Sequence, residues 1–345
     1  VGSTAENATS TPSIDAERAA IAQDPAGPNM LRVDGDDHTR MRRLVSMAFT
    51  PRAIEQWRTR ATELTDELLD VFEERGGGDA LHDFALPLPA TVISDMLGMP
   101  TGDLPKLREW SHAMAKTLDA VNTEEEQQRS IDSARAMDEY LRDIYDRKLA
   151  DPDDGIFSAL IAAEHDGGQL TKNEVISNIR LLYIAGHETT TNLIGNGLVE
   201  LFRHPDQREM VRRSDEHDAN LVEEVLRFNS PVQMTRRIPD HDIEVDGTTI
   251  PGGSVILLCA VSANRDPRKW GPTGDEFDIT RADAKDQLSF GGGAHFCLGA
   301  ALARLEGQIA IPRIVRRFPD LALAAEPVFE PRVVLRGVSA LEVTV

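Results

Sequence analysis

The sequence predicts a mainly α fold with a minor β region, and three observations carry that prediction. Apolar residues recur at steps of three and four through long stretches before Pro205. Short strand-like pieces with Asp-Gly and Pro-Gly-Gly turns follow Phe228. A last helical pattern runs from about Leu298 to Phe318, and the chain closes on the strand-like LRGVSALEVTV.

In chain order, residues 1–37 are polar and punctuated (TPSID, DPAGPN, DGDD), which predicts mostly loop with one short helix at Ala16–Ala22. From His38 to the glycine run 76–78, a pattern through Ile54, Trp57, Ala61, Leu64, Leu68 and Val71 predicts one long amphipathic helix. A similar face runs through Ile131, Ala134, Met137, Leu141, Ile144 and Lys148, with the lysine stem extending outwards, until ADPDDG breaks it. Thr171, with Glu174 three residues on, forms a capping box that opens a long helix ending near His204-Pro205. Its middle is almost wholly apolar or small, so it is expected to be buried all round. In the last helix Pro312 removes an N–H and clashes with the Gln308 carbonyl, which predicts a bend. The expected organisation is a loop-rich front, 1–37, and a single large domain, 38–345.

Hydrophobic residues make up 41% and charged residues 28%, enough apolar surface for a core around a buried ligand. Lys and Arg total 37 against 58 Asp and Glu, and the net charge of -21 repels nucleic acid and anionic membrane. The longest apolar run, Val255–Val261, is too short for a bilayer, and the opening residues lack the basic and apolar regions of a signal peptide. The expectation is a soluble, cytoplasmic protein without nucleic-acid or membrane partners. Its two cysteines, Cys259 and Cys297, do not make a disulfide framework. Cys259, inside VILLCAV, is expected to be a buried small hydrophobe.

Cys297 has a different setting, in FGGGAHFCLG from Phe290 through Gly291 and His295 to Gly299, directly before a helix. A phosphate loop would need a Gly-Lys-Ser/Thr ending, which is absent. Zinc takes about four ligands, and His295 with Cys297 supplies two. A buried structural cysteine and a metal-bound thiolate both stay open. For the second, a helix start favours thiolate over thiol, and glycines let backbone approach a flat macrocycle. Thiolate ligation pushes electron density into a haem iron and favours O–O cleavage.

The run Ala185-Gly186-His187-Glu188-Thr189-Thr190 puts an acid beside hydroxyls in the middle of the long helix, where an unpaired carboxylate is costly. One reading is a local kink, with Thr189 bonding back to the Ala185 carbonyl and Glu188 paired elsewhere. The other is a groove for O2 and water, in which Gly186 opens space and Glu188 relays protons. His187 suits packing or hydrogen bonding better than iron ligation.

FGGGAHFCLG resembles the haem-binding loop of cytochrome P450 enzymes, and AGHETT resembles the acid–alcohol pair of that family's long distal helix. Glu224-Val-Leu-Arg227, in most proteins a modest ion pair, matches the family's ExxR pair, a structural clamp on the meander before the cysteine loop. His38 and Arg42 share one helix face in HTRMRRLV and match the family's proximal-side helix, while Arg237 and His295 match further propionate-binding positions. A solvated surface charge is the plain alternative for each of these four. Where many members carry arginine before Phe277 this chain has Glu276, so Arg281 or another base is expected to complete the cluster.

The resemblance runs from about residue 34 to the end. It implies a bacterial-type cytochrome P450 fold lacking part of its usual N-terminal segment. It also implies haem b (iron protoporphyrin IX) held by Cys297, against Phe290, Gly291, Gly299, Ala185 and Gly186, with His38, Arg42, Arg237 and His295 at the propionates. Thr189 would stabilise the oxygen being activated and Glu188 would deliver protons from solvent. The implied activity inserts one atom of O2 into a mostly apolar small molecule, with electrons from a ferredoxin or flavodoxin and its reductase. The alternatives are a peroxide-driven oxygenase and a haem-binding protein without turnover. Expected substrate contacts are Leu181, Leu182, Ala185, Val232 to Met234, and Gly337-Val338.

Overall fold

In a computed structural model of the chain, residues 27–119, 122–165 and 170–345 are described; the helix expected at Ala16–Ala22 lies outside them. Proline divides the first helical stretch. Helix α1 (Gly35–Ser46) buries His38, Met41 and Val45. Pro51 takes the first position of α2 (Pro51–Glu55), and the N-cap Thr50 hydroxyl accepts the Ala53 N–H at 3.3 Å. Helix α3 (Arg58–Glu74) then starts afresh. The one long helix expected here is therefore three; the first break comes because the residue before a proline is pushed out of the α region, and Thr50 sits at ψ 149, while the second, at Gln56-Trp57, involves no proline. The buried face of α3 runs through Leu64, Leu69 and Phe72; Val71, expected on that face, is 45% exposed.

The glycine run that ends α3 also builds β1 (Gly77–Asp79), which pairs with β9 (Glu342–Thr344). Gly77 has a φ of 115, and a Cβ there would lie 2.3 Å from the Val343 carbonyl oxygen. Gly77→Ala is expected to cost about 2–3 kcal/mol through strain and displacement of β9. A urea midpoint equal to that of the wild type would contradict the close approach.

Helices α4 (Pro87–Leu97), α5 (Leu104–Lys116), α6 (Glu124–Ala150) and α7 (Ile156–His165) pack around α8 (Lys172–Arg203). On α6, Met137, Leu141 and Ile144 are buried as the period predicts, whereas Ile131 is exposed. Lys148 does not extend outwards: it is buried and pairs with Asp153 beyond the helix end. Helix α8 opens on its capping box, with the Glu174 N–H on the Thr171 hydroxyl at 3.2 Å and the Thr171 N–H on the Glu174 carboxylate at 2.8 Å. From Thr190 to Leu201 the helix is buried except at half-buried Asn192. Its middle departs from the expected all-round burial, since Ala185 is exposed on a cavity. The front of the chain is tied to α8 through Asn178, whose side-chain oxygen accepts the Met30 N–H at 3.1 Å.

Helices α9 (Pro205–Arg213) and α10 (Asp218–Phe228) precede the small sheets. Strand β2 (Met234–Arg237) pairs with β5 (Ile256–Cys259), and β3 (Ile243–Val245) with β4 (Thr248–Ile250) through an Asp246-Gly247 turn in which both residues have positive φ. Short helices α11 (Ala260–Ala263) and α12 (Pro267–Trp270) lead to α13 (Ala300–Arg317), which continues through Pro312. Strand β6 (Ala322–Leu323) takes the other edge of β9, and β7 (Val328–Phe329) pairs with β8 (Val338–Ala340). Cys259 is exposed rather than buried: β5 belongs to a two-stranded sheet that shows Leu257 and Leu258 to solvent as well. Among the described residues, no helix is long and apolar enough to cross a membrane.

Candidate active site

The site is built on a buried ion pair. Arg227, on α10, donates from Nε and Nη2 to Glu224 at 2.7 Å each, and both side chains are 0% exposed. Its remaining N–H groups reach the carbonyls of Asn264 (2.8 Å), Gly274 (2.7 Å) and Glu276 (2.8 Å). Glu224 also accepts the Asp278 N–H at 2.8 Å and lies 3.5 Å from Arg281 Nε. Glu276 thus contributes its backbone, and Arg281 supplies the second guanidinium of the cluster. Apart from the short α12, the meander from 264 to 281 has no regular secondary structure and is held by these bonds.

The fixed meander feeds the cysteine loop. Gly291 and Gly293 both adopt a φ of 70, which residues with a Cβ rarely tolerate, and the Cys297 N–H closes the loop on the Phe290 carbonyl at 2.9 Å. The Cys297 side chain opens on a cavity with about 1220 Å³ of atom-free space, part of it open to solvent. The same cavity is lined by Phe290, His295, Phe296 and Gly299 from the loop, by Leu181, Leu182, Ala185, Gly186, Thr189 and Thr190 from α8, and by Ile93, Val232 and Leu302. Thr189 donates its hydroxyl proton to the Ala185 carbonyl at 3.0 Å, the back-bond anticipated from the sequence. Gly186 works differently from the expected opening: a Cβ there would lie 2.8 Å from Ile93, so the glycine admits a side chain of α4.

Three of the four residues expected at the propionates come together. The His38 and His295 rings lie 4.3 Å apart, His295 Nε2 is 2.8 Å from Asp34, and Arg42 donates to the Phe296 carbonyl at 2.6 Å. Arg237 does not line the cavity; it donates to the Thr235 hydroxyl and the Arg236 carbonyl. Gly291 shapes the loop without lining the cavity. Of the expected substrate contacts, Leu181, Leu182, Ala185 and Val232 line it, Val338 lines a different cavity, and Gln233, Met234 and Gly337 line neither.

Glu188 points away from Cys297. Its carboxylate borders a second, polar cavity and lies 3.5 Å from His187 Nε2 and 3.8 Å from His112 Nδ1. Burial raises its pKa, but the two imidazoles outweigh burial and hold the carboxyl below the usual range. His187 is fully buried between the Ser111 hydroxyl at 2.9 Å and the Tyr183 carbonyl at 2.7 Å, the hydrogen-bonded packing residue the sequence suggested.

Electrostatics at Cys297 depart from the helix-start argument. Burial pushes the thiol up, and the Gly299 N–H, Arg42 and Arg304 oppose this only in part. A metal ion deprotonates a coordinating thiol outright, so ligation supplies what the protein alone does not. The surface suits a flat apolar macrocycle carrying two carboxylates. A Cβ added at Gly292 or Gly299 would meet nothing within 4 Å, so the loop borders open space. His38 stacks behind His295 without lining the cavity itself, and its Nε2 is buried with no hydrogen-bond partner among the described residues. Haem b fits these donors, with Cys297 as the ligand the loop offers.

The Cytochrome P450 family profile matches residues 6–216 and 219–327. The chain belongs to the cytochrome P450 family. It is 42% identical over 300 residues to Cytochrome P450 CYP107DY1 of Priestia megaterium, spanning 87% of this chain and 72% of that one. To the Vitamin D(3) 25-hydroxylase of Pseudonocardia autotrophica it is 40% identical over 336 residues, or 95% and 80% of the two chains. Ligand-free CYP164A2 of Mycobacterium smegmatis matches in structure with a TM-score of 0.91 at 36% identity, over 99% of this chain and 86% of that one. The protein is a cytochrome P450 monooxygenase, an oxidoreductase of a haem-dependent family that uses O2, a redox partner and a small organic substrate.

Several cytochrome P450 site residues escaped the sequence reading. Met30, Phe49, Ile93, Leu226 and Leu302 line the Cys297 cavity, yet as sequence each is an ordinary core hydrophobe. Arg108 and His112, four apart on α5, border the Glu188 cavity. That spacing is the same signal that drew attention to His38 and Arg42, and it was available.

Proposed function

We propose that this cytochrome P450 inserts one atom of O2 into a mostly apolar small molecule bound beside Thr189 and Ala185. The observation that carries the reading is that Cys297 and Thr189 border one cavity whose walls are mostly apolar. Haem b held there by Cys297 would supply the oxygen activation. His38, Arg42 and His295 are the donors for its two carboxylates, and Arg237 would join them on releasing the Arg236 carbonyl. Thr189 keeps its hydroxyl proton directed along α8 by the Ala185 carbonyl, and Glu188 brings protons from the solvent side.

Apart from Cys297, Arg42 and His295 are the charged or titratable side chains lining the cavity among the described residues, and both belong with the cofactor. An apolar substrate follows, since nothing else there would pair with a charge. The described residues form one fold, and electrons come from a separate carrier of the ferredoxin or flavodoxin class with its reductase. Difference spectra titrated with vitamin D3 and with dodecan-1-ol test the substrate class. Saturable binding of either probe is expected; binding of charged polar probes alone would contradict it. Thr189→Ala is expected to lower product per NADPH oxidised at least about ten-fold, with peroxide released instead. Unchanged coupling would remove Thr189 from the reaction.

A further inference from the structure

We infer that the polar cavity between α5 and α8 is the inlet through which solvent protons reach Glu188, and that His112 is the positioning residue at its inner end. The inference rests on the reading of Glu188 as proton donor. Glu188 sits on the same helix as Thr189 but opens on a different space: its carboxylate borders the second cavity with Arg108, Glu109, His112, His82 and Glu330. That space is bordered by charged side chains and open to solvent, with about 830 Å³ free of atoms, part of it outside the protein.

The two imidazoles beside Glu188 have unequal freedom. Both ring nitrogens of His187 are engaged, by Ser111 and by the Tyr183 carbonyl, and the ring is fully buried. His112 has a side chain 45% exposed, against 13% for Glu188, so it spans the step from water to the carboxylate. At 3.8 Å from Glu188, His112 Nδ1 is in ion-pair range and just short of a direct hydrogen bond, a gap that a small side-chain rotation closes. Arg108, one turn earlier on α5, brings a half-buried guanidinium to the same wall. Burial raises the Glu188 pKa, but the His112 and His187 imidazoles outweigh it and hold the carboxyl below its usual range, so that it is able to accept a proton.

The balance is simple. A proton from the aqueous phase enters at one ring nitrogen of His112, and the proton on the other passes to a Glu188 oxygen. The protonated side chain turns across α8 and gives its proton to Thr189 Oγ1, which gives up its own hydroxyl proton on the Cys297 cavity side, so that the hydroxyl is regenerated and Glu188 returns as carboxylate to His112.

The test uses haem-loaded wild type, His112→Ala, His112→Asn, Glu188→Gln and the double variant. Infrared pH titration follows the carboxyl band that Glu188→Gln lacks, and O2 consumption with NADPH, a ferredoxin and its reductase is measured in H2O and D2O. In His112→Ala the Glu188 band is expected to titrate about one pH unit higher. The solvent isotope effect on O2 consumption should at least double, His112→Asn should restore part of both, and the double variant should match Glu188→Gln. An unmoved band overturns the inference, and so does a moved band with an unchanged isotope effect, since His112 would then be only an electrostatic neighbour. If Glu188→Gln itself leaves O2 consumption and its isotope effect unchanged, the proton-donor reading fails, and the inlet with it. A change in Glu188→Gln without one in His112→Ala overturns the inlet alone.

Discussion

Cys297→Ala is expected to keep the fold and to lose product formation by at least ~10³-fold, or about 4 kcal/mol of barrier. The fold survives because the Cys297 side chain lies against a cavity rather than in the packed core, and the loop is held by backbone contacts and by Gly291 and Gly293. Its unfolding free energy should stay within about 1 kcal/mol of the wild type. Chemistry fails because alanine offers the iron no electron donor. The other cysteine is the control: Cys259→Ser, at an exposed position on β5, should leave activity and spectrum unchanged. Retained turnover in Cys297→Ala would overturn the ligand assignment.

The largest expected loss of stability is Arg227→Met. It strands Glu224 as a buried carboxylate and leaves the carbonyls of Asn264, Gly274 and Glu276 without that donor. Breaking one side of a buried ion pair costs about 3–5 kcal/mol, a large part of the ~5–15 kcal/mol that holds a folded protein. Haem loading should fall as well, since the meander that Arg227 pins leads directly into the cysteine loop. The denaturation midpoint and the haem content of the purified variant check both, and a wild-type midpoint would contradict the clamp.

Much of this was legible in the sequence because the decisive residues are local patterns. The capping box at Thr171 and Glu174, the turn at Asp246-Gly247 and the glycine loop around Cys297 act through their near neighbours, so spacing alone reports them. The misreadings are tertiary. Helical spacing puts Lys148 at the end of the α6 face with its stem extending outwards; its partner Asp153, past the helix end, turns it inwards instead. Cys259 was assigned to the interior from an apolar run, but a two-stranded sheet gives that run no cover. The front helix was read through Thr50-Pro51, where the steric rule for residues before proline outweighs periodicity. At the site, Glu188 and Thr189 are adjacent in sequence, yet successive helix positions diverge by about 100°, and they open on separate cavities. The side of the helix that each faces is set by α4 and α5, which no local pattern encodes.

The central claim is that Cys297 binds haem iron as a thiolate. The absorption spectrum of the purified, haem-loaded protein, reduced and exposed to carbon monoxide, tests it most directly. The account predicts a Soret band strongly red-shifted from that of imidazole-ligated haem proteins, and loss of the shift in Cys297→Ala. An imidazole-type band in the wild type, or failure to bind haem at all, would contradict it.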